Sequence, residues 1–467
     1  MARTPPARRF LPPATPRRGP IRRDLVLSAT DGAAFSVMVG AGETYFVAFA
    51  LAAGMSETFG GLLASIPLFL GSLLQLSSMR MTRLLGSLQR WVVLCASVQA
   101  ISFLPLAIGA MRGSIDPWLI YLCVSIYWGS NLAAGPAWNT WIGTIVPGSI
   151  RARYFSNRAR FAHMGILAGL AGGGMTLHAL RGDDTSRLWP FAILFFGACM
   201  MRLVSVVLLA KHSEPVPIPG DHRDVPVRSL VGRLHSWRGG RLILFMLAMQ
   251  FCVHISASFF APYMLKKLDL PYHVYMMLLS AAYIGRTLSL GAIGRLAKRF
   301  GAHAILWIGG IGIMPLSAAW LVSDSVWYLL PLQLLTGVLW GCYEIGTFLI
   351  LLESVPENER TSILTTQNLL NSCAVILGAA IGGVIMRLGH EQVSAYFTVF
   401  ALSGVARVLT LPLLARVHPI TTPTGRVPTL IFRTLGVRPN FGAVDRPYIA
   451  SAEGGEATEP APAARVR

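Results

Sequence analysis

The basic residues of this chain avoid its long apolar stretches and collect in alternate gaps between them. Arginine and lysine resist translocation, so a bias of this kind reads as topology: of the 40 Lys and Arg residues, all but about nine are assigned to one side of a bilayer. That side takes the arginines from Arg3 to Arg23, then Arg80, Arg83 and Arg90, and the run Arg151, Arg153, Arg158 and Arg160. It also takes Lys211 to Arg241, Arg295, Lys298, Arg299, Arg360 and the basic residues from Arg416 onward. The opposite gaps hold only Arg112, Arg181, Arg187, Lys266, Lys267 and Arg387.

With 54% hydrophobic and 13% charged residues the chain does not have the composition of an ordinary soluble protein. A net charge of +19 would suggest nucleic acid in a soluble chain. Here the arginines lie in short loops beside apolar stretches, where anionic lipid headgroups are the nearer partner, and no nucleic acid is expected. The six cysteines all fall inside apolar segments with no CxxC pair, which suits packing and provides no metal site. Walker, Gly-x-Ser-x-Gly and His-Glu-x-x-His patterns are absent from the sequence. His178 and Asp183 have the His-x4-Asp spacing of acyltransferases but no companion motif, so neither catalysis nor a cofactor is expected. Arg8-Arg9 has a twin-arginine look, yet prolines and arginines follow where an apolar signal core belongs, and residues 1–24 read as a disordered basic arm.

A bilayer core about 30 Å thick needs about 20 apolar residues per helix. Cutting at polar, Pro and Gly punctuation predicts twelve helices, near 25–53, 59–79, 91–111, 117–142, 160–180, 188–210, 241–264, 272–293, 302–322, 326–352, 363–387 and 394–415. An even number places both termini on one side, and both are arginine-rich, so that side is expected to be the cytoplasm. The proline-studded stretch 211–240 reads as a linker between six-helix bundles at 25–210 and 241–415, with a tail at 416–467. The halves echo each other. Val146-Pro147 with Arg151 recurs as Val355-Pro356 with Arg360, and Arg83 with Gly86 recurs as Lys298 with Gly301. The fold class expected is therefore an all-α polytopic membrane protein of two repeated halves.

In these features residues 25–415 resemble the major facilitator superfamily. That family carries Gly-x-x-x-Asp-x-x-Gly after its second and eighth helices; the copies here read Met79-Arg-Met-Thr-Arg83-Leu-Leu-Gly86 and Gly294-Arg-Leu-Ala-Lys298-Arg-Phe-Gly301, with a basic residue at the aspartate position in both. The glycine run Gly165 to Gly174 is similar to the family's antiporter motif, with Leu170 where that motif has proline, and reads equally as a packing face like Gly378-x-x-x-Gly382. The resemblance implies a bacterial inner-membrane secondary transporter in which two halves rock about a central cavity, with Arg83, Gly86, Lys298, Gly301, Arg151 and Arg360 at its gate.

Ionisable groups at membrane depth are costly and therefore candidates by default. In facilitators the first, fourth, seventh and tenth helices line the cavity; here they supply Asp31, Glu43, Tyr45, Asn139, His254, Trp340 and Glu344. Glu43, His254 and Glu344 lead the set. A carboxylate in a dry cavity can bind and release a proton as access alternates. The competing reading pairs Glu43 or Glu344 with a buried arginine such as Arg202 or Arg407, and Asp31 with a helix cap or the basic arm. The expected partners are a small organic solute, a proton and membrane lipids, the expected state is a monomer, and efflux is favoured over uptake. The alternative is a transport-inactive facilitator-like sensor or assembly partner.

Overall fold

The computed structural model describes residues 21–146, 148–180, 188–214, 232, 238–354 and 360–417. They form twelve span-length helices that run up and down in turn: α1 Ile21–Ala52, α2 Glu57–Gln75, α3 Leu88–Arg112, α4 Pro117–Ile145, α5 Gly148–Ala179, α6 Trp189–Lys211, α7 Gly239–Lys267, α8 Tyr272–Ala297, α9 Arg299–Ala319, α10 Val326–Ser354, α11 Arg360–Leu388 and α12 Val393–Ala415. Ten of them are long and apolar enough to cross a membrane; α4 and α5 have the length but carry more polar side chains. The described chain begins and ends at the same end of the bundle, called the near end below; the opposite end is the far end.

α5 begins at Gly148, about a dozen residues before the apolar stretch read from hydropathy. Arginine is a good helix former, and nothing between Gly148 and Arg160 breaks a helix, so the basic run extends α5 beyond its apolar part. Breaks elsewhere have local causes. Gly86, Gly113 and Gly301 have φ of 63°, 76° and 85°, a region that costs glycine little, and they end the short helix Ser78–Leu85, end α3 and kink the first turn of α9.

α1 packs on α5 and α6, and α7 packs on α11 and α12, so each half repeats the same arrangement. The close approach depends on glycine. A Cβ added at Gly40 would lie 2.2 Å from the Ile166 carbonyl oxygen, and one at Gly169 2.4 Å from that of Val37. In the second half Gly378 and Gly382 stand in the same relation to the carbonyls of Phe251 and Ile255, each at 2.2 Å. The glycine run of α5 is therefore a packing face that brings backbones together, as apolar solvent requires where burial of oil against oil gives no drive. The halves meet along two seams, α2 against α11 and α5 against α8. Leu288, Val384 and Val405 turn outward, as a lipid-facing surface demands.

Candidate functional site

Two helices are interrupted within their spans. α1 runs regularly to Ala41, tightens into a 3₁₀ turn over Glu43–Tyr45 and resumes at Phe46. α7 runs to Ala257, breaks, and resumes over Phe260–Pro262 with a π turn at Tyr263–Lys267. The second break has a plain cause: Pro262 has no N–H to donate to the carbonyl of Ser258 four residues earlier. The first centres on Gly42, where a Cβ would come within 2.7 Å of Phe103 and Ala198. Irregular turns in mid-span expose backbone groups that a solute or ion can use.

Both breaks face one cavity of about 90 Å³ between the halves, lined by Glu43 and Thr44 from α1 and by His254 and Ser258 from α7. Trp128 of α4 and Tyr275 and Tyr283 of α8 supply aromatic walls, and the remaining lining is apolar. None of the lining residues is lysine or arginine. Tyr127 stands behind Glu43 and donates its hydroxyl to the carboxylate at 2.5 Å, fixing its orientation. His254 Nδ1 lies 3.0 Å from the Gln250 carbonyl oxygen, which can only accept, so that nitrogen carries the proton and Nε2 remains as an acceptor.

Of the residues singled out from sequence, the cavity brings together Glu43 and His254. Tyr45 points away and donates to the Leu170 carbonyl at 2.8 Å, beside Gly173 of α5. Glu344 is buried in an ion pair with Arg286 of α8, a partner that lies 58 residues away in sequence; Arg202 and Arg407 are engaged elsewhere. Trp340 is buried edge-on against Tyr343, with ring centres 5.5 Å apart, and Asn139 is half-buried toward the near end. Asp31 is buried within α1 and is met by Arg158 of α5 at 3.7 Å and by the Ser205 hydroxyl of α6 at 2.6 Å; most of the basic arm lies outside the described residues. Arg202 in turn donates to that hydroxyl at 2.6 Å. Arg407 donates to the Ile313 carbonyl at 2.9 Å. Tyr127, Ser258, Tyr275 and Tyr283 carried no signal that separated them from ordinary span residues; Arg286, an arginine inside a predicted span, carried one that the sequence analysis did not take up.

Among the gate candidates, Arg83 is exposed on the short helix that Gly86 ends, and Gly301 forms the kink in the first turn of α9. The side chains of Lys298, Arg151 and Arg360 lie outside the described residues. A carboxylate does reach a helix terminus nearby, but it comes from beyond α6. Glu214 accepts the Ser87 hydroxyl at 2.6 Å and the amides of Leu88 and Gln89 at 2.7 and 3.2 Å, capping α3. Gln89 returns the contact by donating to the carbonyls of Leu209, Ala210 and His212 at the end of α6.

At the far end the halves are tied to each other. Glu57, in the first turn of α2, pairs with Lys267 at 3.0 Å and accepts the Tyr396 hydroxyl at 2.7 Å. Glu391, in the α11–α12 loop, accepts the amides of Thr58 and Glu57 at 2.8 and 3.1 Å, so the first turn of α2 is capped from the other half. His390 and Glu391 adopt φ of 51° and 56° to bring that carboxylate over the helix.

Residues 242–450 match the family model described as Major Facilitator Superfamily. That match lies in the second half of the chain. The whole fold superposes on a variant of the nucleoside transporter NupG with a TM-score of 0.66 at 14% identity, over 85% of this chain and 100% of that one. A D-xylose-proton symporter gives 0.59 at 15% identity, over 84% and 97%. A bacterial homolog of the human lysosomal transporter Spinster, in an inward-facing and unoccupied conformation, gives 0.59 at 13%, over 85% and 95%. At these identities the likeness is one of fold. A search of curated proteins gave no match.

Proposed function

We propose that this protein is a secondary active transporter that moves a small amphipathic solute through the central cavity in exchange for protons. The observation that carries the reading is the cavity between the two broken helices, with one carboxylate, one imidazole and aromatic walls. A solute that fits this lining has an aromatic or aliphatic body and a basic or neutral hydrogen-bonding group, since an anion would find a carboxylate and no lining cation. Glu43 binds the proton or the solute's basic group, and Tyr127 keeps the carboxylate aimed into the cavity. Competition between proton and solute for one carboxylate couples the two fluxes, and His254 Nε2 offers a second acceptor.

In this reading the near end faces the cytoplasm of a bacterium, on the strength of the arginine bias, and the far end faces outward. The far-end ties from Glu57 to Lys267 and from Glu391 to α2 hold the outer side shut, as alternating access requires of one side at a time. Efflux is the direction we propose, on the likeness of the α5 glycine run to the antiporter motif. A thermal-shift screen of purified protein against small amphipathic bases and neutral aromatics tests the binding claim. A ligand that raises Tm in the parent protein and fails to do so in Glu43→Gln supports it; stabilisation only by anions removes it.

A further inference from the structure

The α5–α8 seam ends at the far rim in a pair of histidines that the transport reading does not use. His178 is in the last turn of α5 and His273 in the first turn of α8, one from each half, with ring centres 4.4 Å apart and planes inclined by 64°. Both side chains are exposed. One turn deeper the same seam is at its tightest, with Gly174 so close to Met276 that a Cβ there would overlap the thioether. The two imidazoles are therefore held at a spacing that the helix packing fixes, four residues beyond Gly174 and three before Met276.

We propose that His178 and His273 form a two-ligand site for a transition-metal dication of the zinc type, and that a bound ion bridges the halves and opposes opening of the far end. Neutral imidazole is a ligand of choice for zinc, copper and nickel, and magnesium and calcium prefer oxygen. Metal–nitrogen bonds of about 2.0–2.1 Å to one tetrahedral ion place two ring centres about 5 Å apart, so a small rotation of either ring from 4.4 Å suffices. Exposure of both rings leaves the other coordination positions to water. The sites of solute and metal are separate, and the second half of the proposal rests on the rocking of halves that the transport reading assumes.

The test uses purified full-length protein. Zinc titration by equilibrium dialysis in a non-coordinating buffer is expected to give one ion per chain. His178→Ala and His273→Ala are each expected to weaken it at least about tenfold, since even a group behind a metal ligand has that much effect. Wild type that binds no zinc, or variants that bind it unchanged, overturn the site and leave the pair as a packing contact. Spin labels at exposed Ser114 and half-buried Ser323, one on each half at the far rim and with the native cysteines replaced, read the second claim. Zinc is expected to sharpen the distance distribution toward its short component in the parent protein but not in His178→Ala. Bound zinc with an unchanged distribution overturns the bridge. Zinc binding in a chain that carries no solute would overturn the transport reading and leave the site standing.

Discussion

Arg286 of α8 and Glu344 of α10 form an ion pair buried between helices of the same half, away from the central cavity. Their charges compensate each other in a setting where either alone would be costly. Removing one partner of such a pair typically costs about 3–5 kcal/mol, whereas replacing both with apolar groups of similar volume is often neutral. Glu344→Gln should therefore lower Tm and yield sharply, and Arg286→Met with Glu344→Leu should recover most of the loss. Thermal unfolding of the single and double variants in one detergent checks this; a well-folded, fully stable Glu344→Gln would contradict it.

The far-end contacts give a second expectation. Glu57→Gln removes the charge that Lys267 meets at 3.0 Å and weakens the acceptor of Tyr396. Hydrogen bonds to charged groups contribute about 1.5–3 kcal/mol, and the partial exposure of this pair puts it at the low end. A shift of about 1.4 kcal/mol is tenfold in population. Distances between labels at Ser114 and Ser323 should lengthen in Glu57→Gln, with only a modest fall in Tm. An unchanged distribution would make Glu57 an ordinary surface acid.

Glu391 gives the pH dependence. Burial pushes its carboxyl up, but the Thr58 hydroxyl, the amides of Thr58 and Glu57 and the Ser56 hydroxyl outweigh that and hold it below the usual carboxylate range. A depressed folded-state value means that its stabilising effect is complete above the ordinary value of about 4.3 and is lost as pH falls through the folded value below it. The far end should thus stay shut at neutral pH and loosen in acid, and Glu391→Gln should loosen it at neutral pH and flatten the acid response. Tm measured from pH 7 to pH 3 on parent and variant decides it; parallel curves would remove Glu391 from the latch.

The membrane architecture was legible because two signals were local and redundant: apolar length, and arginines in alternate gaps. The break in α7 was also readable, since Pro262 deprives Ser258 of a partner four residues back. Pairings were hidden. Arg286 sits in an apolar stretch whose neighbours give no hint of Glu344, although an unpaired arginine at membrane depth implies a carboxylate somewhere. Asp31 reads as a helix cap or a partner of the basic arm because it lies toward the near end of its span; Arg158 and Ser205 approach it through packing of α5 and α6 on α1. Glu43 and His254 stood out as rare ionisable groups; the tyrosines that complete the cavity did not, because aromatics are common at helix ends for anchoring.

Proton-coupled flux through the Glu43 cavity is the central claim, and proteoliposomes test it most directly. With a solute identified by thermal shift, an imposed pH gradient should drive accumulation that a protonophore abolishes. Glu43→Gln should fold with an unchanged Tm, retain solute counterflow and lose the gradient-driven component. Undiminished, gradient-dependent accumulation by a well-folded Glu43→Gln, or no flux of any bound solute by the parent protein, would contradict the account.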